Sequence, residues 1–172
     1  MPRLLGPLMT LAEANSLSPE AFVEAFRDIA EHSPWVAERA SSLRPFASRA
    51  TLVDAFQRAL ATASRLEQEA VLRAHPDLGR KAKLARDSAR EQTGAGLDRL
   101  TPSELARFEA LNEGYRARFG FPFILAVKGA DKHRILDAFE QRAGGAPEEE
   151  FWTALAQVMR IMRFRIEERV DG

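Results

Sequence analysis

The stretch TPSELARFEALNEGYRARFGFPFILAVKG, residues 101–129, decides between a helical fold and a mixed one. Thr101-Pro102-Ser103-Glu104 joins a hydroxyl N-cap, a proline at the first helical position and a glutamate three residues after the cap. That is the pattern of a capping box. Leu105, Phe108, Asn112, Tyr115 and Phe119 then recur at helical spacing, and Gly120 with Pro122 stops the helix. The run that follows, FPFILAV at 121–127, is continuously apolar, and its periodicity permits a buried strand. A strand needs a partner, and no partner strand is evident. The run therefore reads as extended backbone buried among helices, leading into a short helix. Its amide and carbonyl groups need partners from elsewhere, and a polar substrate can serve as one.

Outward from that stretch the signals are helical in both directions. Asp131 caps a helix with Ile135, Leu136 and Phe139 facing inward, and Gly144-Gly145 ends it. Pro147 and Glu148–Glu150 open the last helix, where acidic side chains suit the positive end of the dipole. Its apolar stripe is Trp152, Leu155, Met159, Met162 and Ile166. Upstream, Ser18-Pro19 starts a helix carrying Phe22, Phe26 and Ile29 to about His32. Ser33-Pro34 starts a shorter one, with Trp35 read as a core anchor. Thr51 begins a longer stretch with Leu52, Phe56, Ala59, Leu60 and Ala63, and Leu66, Ala70 and Val71 continue it after a break near Ser64. The expectation is an all-α fold, a single compact multi-helix domain over 1–172, with 1–15 a loosely ordered extension.

Composition narrows the function. A chain of 172 residues can bury a core covering about two-thirds of its unfolded surface. Lys+Arg and Asp+Glu are both 25, without the basic excess of a nucleic-acid binder. There is no cysteine, hence no disulfide, thiolate nucleophile or cysteine metal site. The first residues lack a signal peptide's apolar core, and no apolar run approaches membrane-spanning length. These features lead to the expectation of a cytoplasmic protein with neither nucleic-acid nor membrane partner.

Chemistry concentrates in RAHPDLGRKAKLARDSAREQTGAGL, residues 73–97. Pro76 restricts the residue before it, so His75 belongs at a helix end. Ser88, Glu91 and Gln92, at i, i+3 and i+4, share one helical face. A histidine titrating near neutrality, with a carboxylate to orient it or hold its proton, makes an acid–base pair. Arg73, Arg80, Lys81, Lys83, Arg86 and Arg90 face only Asp77 and Asp87, a solvated basic face that could attract an anion. His32 and His133 read as surface or helix-end residues. Three scattered histidines without HxxxH or HxH spacing make a weak metal site, and no phosphate-binding loop is present. The reading is side-chain chemistry without metal or cofactor. In the last helix, periodicity puts Arg160 furthest from the apolar stripe and leaves Arg163 and Arg165 flanking it on opposite sides.

HPDLG, SAREQTGAGL, LNEGYRARFGFPFILAVKG and LDAFEQR, with EHSPWVAERA and RPF upstream, resemble the 2-oxo-4-hydroxy-4-carboxy-5-ureidoimidazoline (OHCU) decarboxylase family. The resemblance runs in consistent order from about Leu17 to Ile166. It implies a cofactor-independent carboxy-lyase that converts the small molecule OHCU to (S)-allantoin in urate degradation, and a homodimer. Carried onto this chain, it makes His75 and Glu91 catalytic. It places substrate contacts at Pro76, Ser88, Gln92, at Phe123, Ile124, Leu125, Ala126 and Val127, and at Arg165 within Phe164-Arg165-Ile166. Two other readings stay open: a helical interaction module that kept the fold and lost catalysis, and a metal-dependent hydrolase. Intact His75, Ser88, Glu91, Gln92 and Arg165 argue against the first.

Overall fold

The computed structural model describes residues 8–78 and 100–172, and among these every regular element is a helix. In chain order they are α1 (Leu11–Ser16), α2 (Pro19–Phe26), α3 (Pro34–Ser41), α4 (Arg49–Ala61), α5 (Arg65–Ala74), α6 (Pro102–Phe119), α7 (Lys132–Ala143) and α8 (Pro147–Arg169). The chain divides into two compact units, Met1–Val71 with Met159–Gly172, and Leu72–Val158. No helix among the described residues is long and apolar enough to cross a membrane.

In the first unit, Phe22, Phe26, Phe46 and Phe56 form an aromatic core, with the Phe22 and Phe26 ring centroids 4.6 Å apart. The N-terminal extension expected to be loose contains α1. Thr10 caps it by accepting from the Glu13 amide, Ala14 is fully buried, and the Asn15 side chain bonds both the amide and the carbonyl of Phe46. Residues 1–7 lie outside the described residues. Helix α2 ends at Phe26, six residues short of the expected His32. Beyond Phe26 the backbone tightens into an i→i+3 turn (Ile29 N–H to Phe26 O, 3.1 Å), and His32 takes a left-handed φ of 48°.

Two side-chain expectations in this unit also change. Trp35 is half-buried, with the Arg39 guanidinium 4.4 Å over its ring, instead of anchoring the core. The break near Ser64 is present, and Ser64 and Glu67 bond each other's backbone reciprocally to start α5. The phase of α5 differs from the expected one. Leu66 is 75% exposed and Ala70 is exposed, while Gln68 is buried. The Gln68 amide donates to the carbonyls of Leu60 and Ala61 at the end of α4, so a polar residue takes the inward position.

In the second unit the capping box forms as expected. Thr101 Oγ1 accepts from the Glu104 amide, and Glu104 Oε1 accepts from the Thr101 amide. Phe108, Asn112 and Tyr115 are buried on α6, and Gly120 ends it in the left-handed region at φ 81°, which glycine adopts without steric cost. The FPFILAV run joins no helix and no strand. Residues 122–127 run without turn or bend, and all of 121–127 are buried except half-buried Leu125. A turn through Gly129 (φ 83°) follows, and Asp131 caps α7 through the Arg134 amide. On α8 the buried aromatic is Phe151. Trp152, expected in the stripe, is half exposed.

Candidate active site

His75 is the first residue beyond α5. Its amide donates to the Leu72 carbonyl at 3.3 Å, and its side chain is buried, with the residue 7% exposed. Pro76 is exposed on the turn. Asp77 then accepts a 2.7 Å ion-paired hydrogen bond from Arg116 of α6, which ties the turn to that helix. The turn that carries His75 is thus anchored on one side to α5 and on the other to α6.

The same unit contains Phe123–Val127. Four of these five side chains are buried, so what the segment can present to a ligand is backbone. The Phe123 ring stacks on Phe139 (3.9 Å between centroids, 9° between planes), with the Arg142 guanidinium 4.4 Å over its ring. Arg142 Nη1 donates to the Ile124 carbonyl at 2.7 Å, and the Ala126 amide donates to Gln157 Oε1 of α8 at 2.9 Å. Arg142 is held in turn by Glu150, which accepts from its Nε at 2.6 Å and from the Tyr115 hydroxyl at 2.5 Å. Burial and that bond to Glu150 push the Tyr115 hydroxyl's pKa upward, so it stays a neutral donor.

Arg165 belongs to the first unit. Its Nη2 donates to Glu31 at 2.7 Å, and its Nη1 to the carbonyls of Asp28 and Ile29. Arg160 and Arg163 are exposed and Arg165 is half-buried, which decides what periodicity left open. One turn further along, Arg169 holds both carboxylate oxygens of Asp28, and this hydrogen bonding keeps the Asp28 carboxyl below its ordinary range. Ser88, Glu91 and Gln92 lie outside the described residues, as do Arg80, Lys81, Lys83, Arg86 and Arg90. Among the described residues, no three His, Asp or Glu side chains converge as a metal site. A surface cavity of about 640 Å³ in the first unit, lined by Val23, Arg27, Glu38 and Arg44 among others, contains none of the candidate residues.

A family model described as OHCU decarboxylase matches residues 15–167. The chain belongs to the OHCU decarboxylase family. An OHCU decarboxylase of Haloferax volcanii is 48% identical over 95% of this chain and 98% of its own length. One from Halalkalicoccus jeotgali is 43% identical, over 93% of this chain and 91% of its own. Among solved structures, a crystal structure of (S)-allantoin synthase superposes with a TM-score of 0.76 at 32% identity. The match covers 95% of this chain, and this chain spans 55% of that one.

Four residues of this family member escaped the sequence reading: Tyr115, Arg142, Glu150 and Gln157. Tyr115 had been placed on a buried stripe without a polar role. A signal for two of the others was present. Arg142 lies three residues beyond Phe139 on the inward face of α7, and Glu150 lies four before buried Ala154 on α8. Opposite charges in core register on consecutive helices call for a buried pair, and their side chains are 12% and 5% exposed.

Proposed function

We propose that the chain removes carbon dioxide from OHCU to give (S)-allantoin, as one catalytic domain acting without metal or cofactor in urate degradation. The observation that carries this reading is the 48% identity, over nearly the whole of both chains, to a protein named for that activity.

The chemistry fits the residues. The bond between the ring carbon and its carboxylate breaks, and the electron pair moves into the adjacent carbon–nitrogen double bond of the imidazoline. The nitrogen that receives the pair takes up a proton. The hydroxyl on the first carbon becomes the ring carbonyl as its proton leaves, and the neighbouring carbon takes a proton on one face. The ring receives the electrons, so no cofactor is called on. The protein supplies orientation, donors where negative charge develops, and a proton from one direction.

In this reading His75 delivers the proton and Glu91 holds and tunes it. Pro76 shapes the floor, and Ser88 and Gln92 hold the ring substituents. The Phe123–Val127 backbone offers hydrogen bonds: the amides of Leu125 and Val127 have no acceptor among the described residues. Arg165, whose planar guanidinium is oriented by Glu31 and two carbonyls, clamps a carbonyl or carboxylate of the substrate. We place the enzyme in the cytoplasm as a homodimer, which light scattering of the purified chain checks.

The test is a coupled assay on freshly generated OHCU, following carbon dioxide release and the chirality of the allantoin formed. The expected result is (S)-allantoin produced faster than spontaneous decay, unchanged by chelator. Racemic product at the spontaneous rate refutes the reading and favours the interaction-module alternative.

A further inference from the structure

We propose that Gln157 is a positioning residue for the substrate, acting with Arg142 to hold the 123–127 backbone so that Leu125 presents its polar groups to the ligand. The inference rests on the function proposed above and adds residues to it.

Three observations carry it. The first is where the clamps fall. Gln157 takes the amide of residue 126 and Arg142 takes the carbonyl of residue 124. In a chain running without turn or bend, alternate residues direct their backbone groups to opposite edges. Bonds at 124 and 126 therefore occupy one edge, and the groups of Leu125 fall on the other. Leu125 is the one half-buried residue of 121–127, and its amide and carbonyl have no hydrogen-bond partner among the described residues.

The second is that, among the described residues, no backbone–backbone hydrogen bond holds residues 123–126. The segment belongs to no described sheet, and its Val127 carbonyl makes the backbone bond to Ala130 that closes the following turn. Each backbone residue left free to wander costs about 1–2 kcal/mol to fix when a ligand arrives. Side-chain clamps meet that cost during folding, before substrate binds.

The third is that the clamps are themselves fixed. Arg142 is gripped by Glu150, whose same oxygen accepts from Tyr115, and its guanidinium lies over Phe123. The chain of contacts Tyr115–Glu150–Arg142–Ile124 runs from α6 through the starts and ends of α8 and α7 to the segment. Gln157 closes the other end from further along α8. A side chain selected only to fill space in this position needs no acceptor.

The test compares Gln157→Met, which keeps length and loses the acceptor, with Gln157→Glu, which keeps an acceptor oxygen. Each is assayed for KM and kcat on OHCU, thermal midpoint, and hydrogen exchange at Ala126. Loss of one preorganising hydrogen bond should raise KM about tenfold in Q157M with kcat little changed. Q157E should stay within about twofold of wild type, the expected rescue when the hydrogen bond is remade. Exchange at Ala126 should speed up in Q157M only.

Wild-type KM and kcat in a Q157M protein whose Ala126 amide has lost protection overturns the proposal. So does an equal loss in Q157M and Q157E, which marks a purely structural role. Should Q157M fail to fold, Arg142→Lys is the second handle. It keeps the charge and gives up the two-pronged geometry, and KM should rise about threefold by loss of part of one charge-assisted contact; unchanged KM overturns the proposal. A wild-type chain that does not turn over OHCU refutes the function reading, and the positioning role falls with it. Working wild type with an indifferent Q157M refutes the positioning role alone.

Discussion

In two places in this molecule chain leaves a helix and continues outside regular structure, and arginines from a neighbouring helix meet both. At the exit of α2, Arg165 and Arg169 of α8 take the carbonyls of Ala25, Asp28 and Ile29, and the carboxylates of Glu31 and Asp28 lie on the same two guanidiniums. After α6, Arg142 and Gln157 take one carbonyl and one amide, at residues 124 and 126, and the residue between them has no hydrogen-bond partner among the described residues. The first arrangement closes a turn with charge against charge. The second grips a segment from one edge, among stacked aromatic rings, and keeps the other edge available. Buried backbone groups without partners are costly to keep, and under the proposed function a polar substrate offsets that cost. Segment 121–127 and His75 are both in the second unit, to which the proposed function gives the proton transfer.

The largest effect tests that assignment directly. His75→Ala should lower turnover about a hundred- to ten-thousand-fold, the range expected for losing an acid–base group, while far-UV circular dichroism stays unchanged. Glu91→Ala should fall in the same range for the same reason. Near-normal turnover in both would remove the contrast between the two regions.

The next effect separates the regions by stability. Glu150→Leu strands the buried Arg142 cation and the Tyr115 hydroxyl together, and should destabilise by about 3–5 kcal/mol. Glu31→Leu should cost less, about 1.5–3 kcal/mol for one charge-assisted hydrogen bond, because Arg165 keeps two carbonyl acceptors. Chemical denaturation of the two variants side by side gives the comparison. Equal costs would mean that the grip on 121–127 is no deeper than the one on the α2 exit.

How much of this was legible in the sequence follows from how local each signal is. The caps at Thr101, Asp131 and Ser18 are set by neighbours within one turn, and the structure has all three. Reading FPFILAV as extended backbone buried among helices holds, because a strand's absence shows in the lack of any candidate partner, but a turn through Gly129 stands where a short helix was expected. The phase of α5 was not legible. Gln68 is drawn inward by carbonyls at the end of α4, a demand that exists only once the two helices meet. Glu150 was read as a dipole residue because it closes a run of three glutamates. Only its register with Ala154 distinguishes it from Glu148 and Glu149, which remain exposed. Trp152 was placed in the stripe, although the register with Leu155 and Val158 suits Phe151, which is the buried one. For the candidate site, the resemblance supplied residues that spacing could only offer as alternatives, Arg165 above all.

The smallest expected effect is acid sensitivity, and each region has its own carboxylate to report it. In the first unit, hydrogen bonding from Arg169 holds Asp28 below the usual range, with burial opposing. In the second, the hydrogen bond from Lys132, followed by that from the Thr101 amide, lowers Glu104 to about 2. A carboxyl depressed on folding binds its proton more readily when unfolded, so stability is present above the unfolded value and lost as pH falls through the folded one. For Glu104 that window runs from 4.5 down to about 2. Thermal midpoints of wild type and Glu104→Gln should therefore differ at pH 6 and converge through that window. Asp28→Asn should converge with wild type below about pH 4, the ordinary aspartate value. Asp28 is exposed and Glu104 half-buried, so salt should shrink the Asp28 difference more than the Glu104 one. A Glu104→Gln protein that tracks wild type at every pH would show that the start of α6 owes its stability to the Thr101 cap, with the lysine contributing nothing.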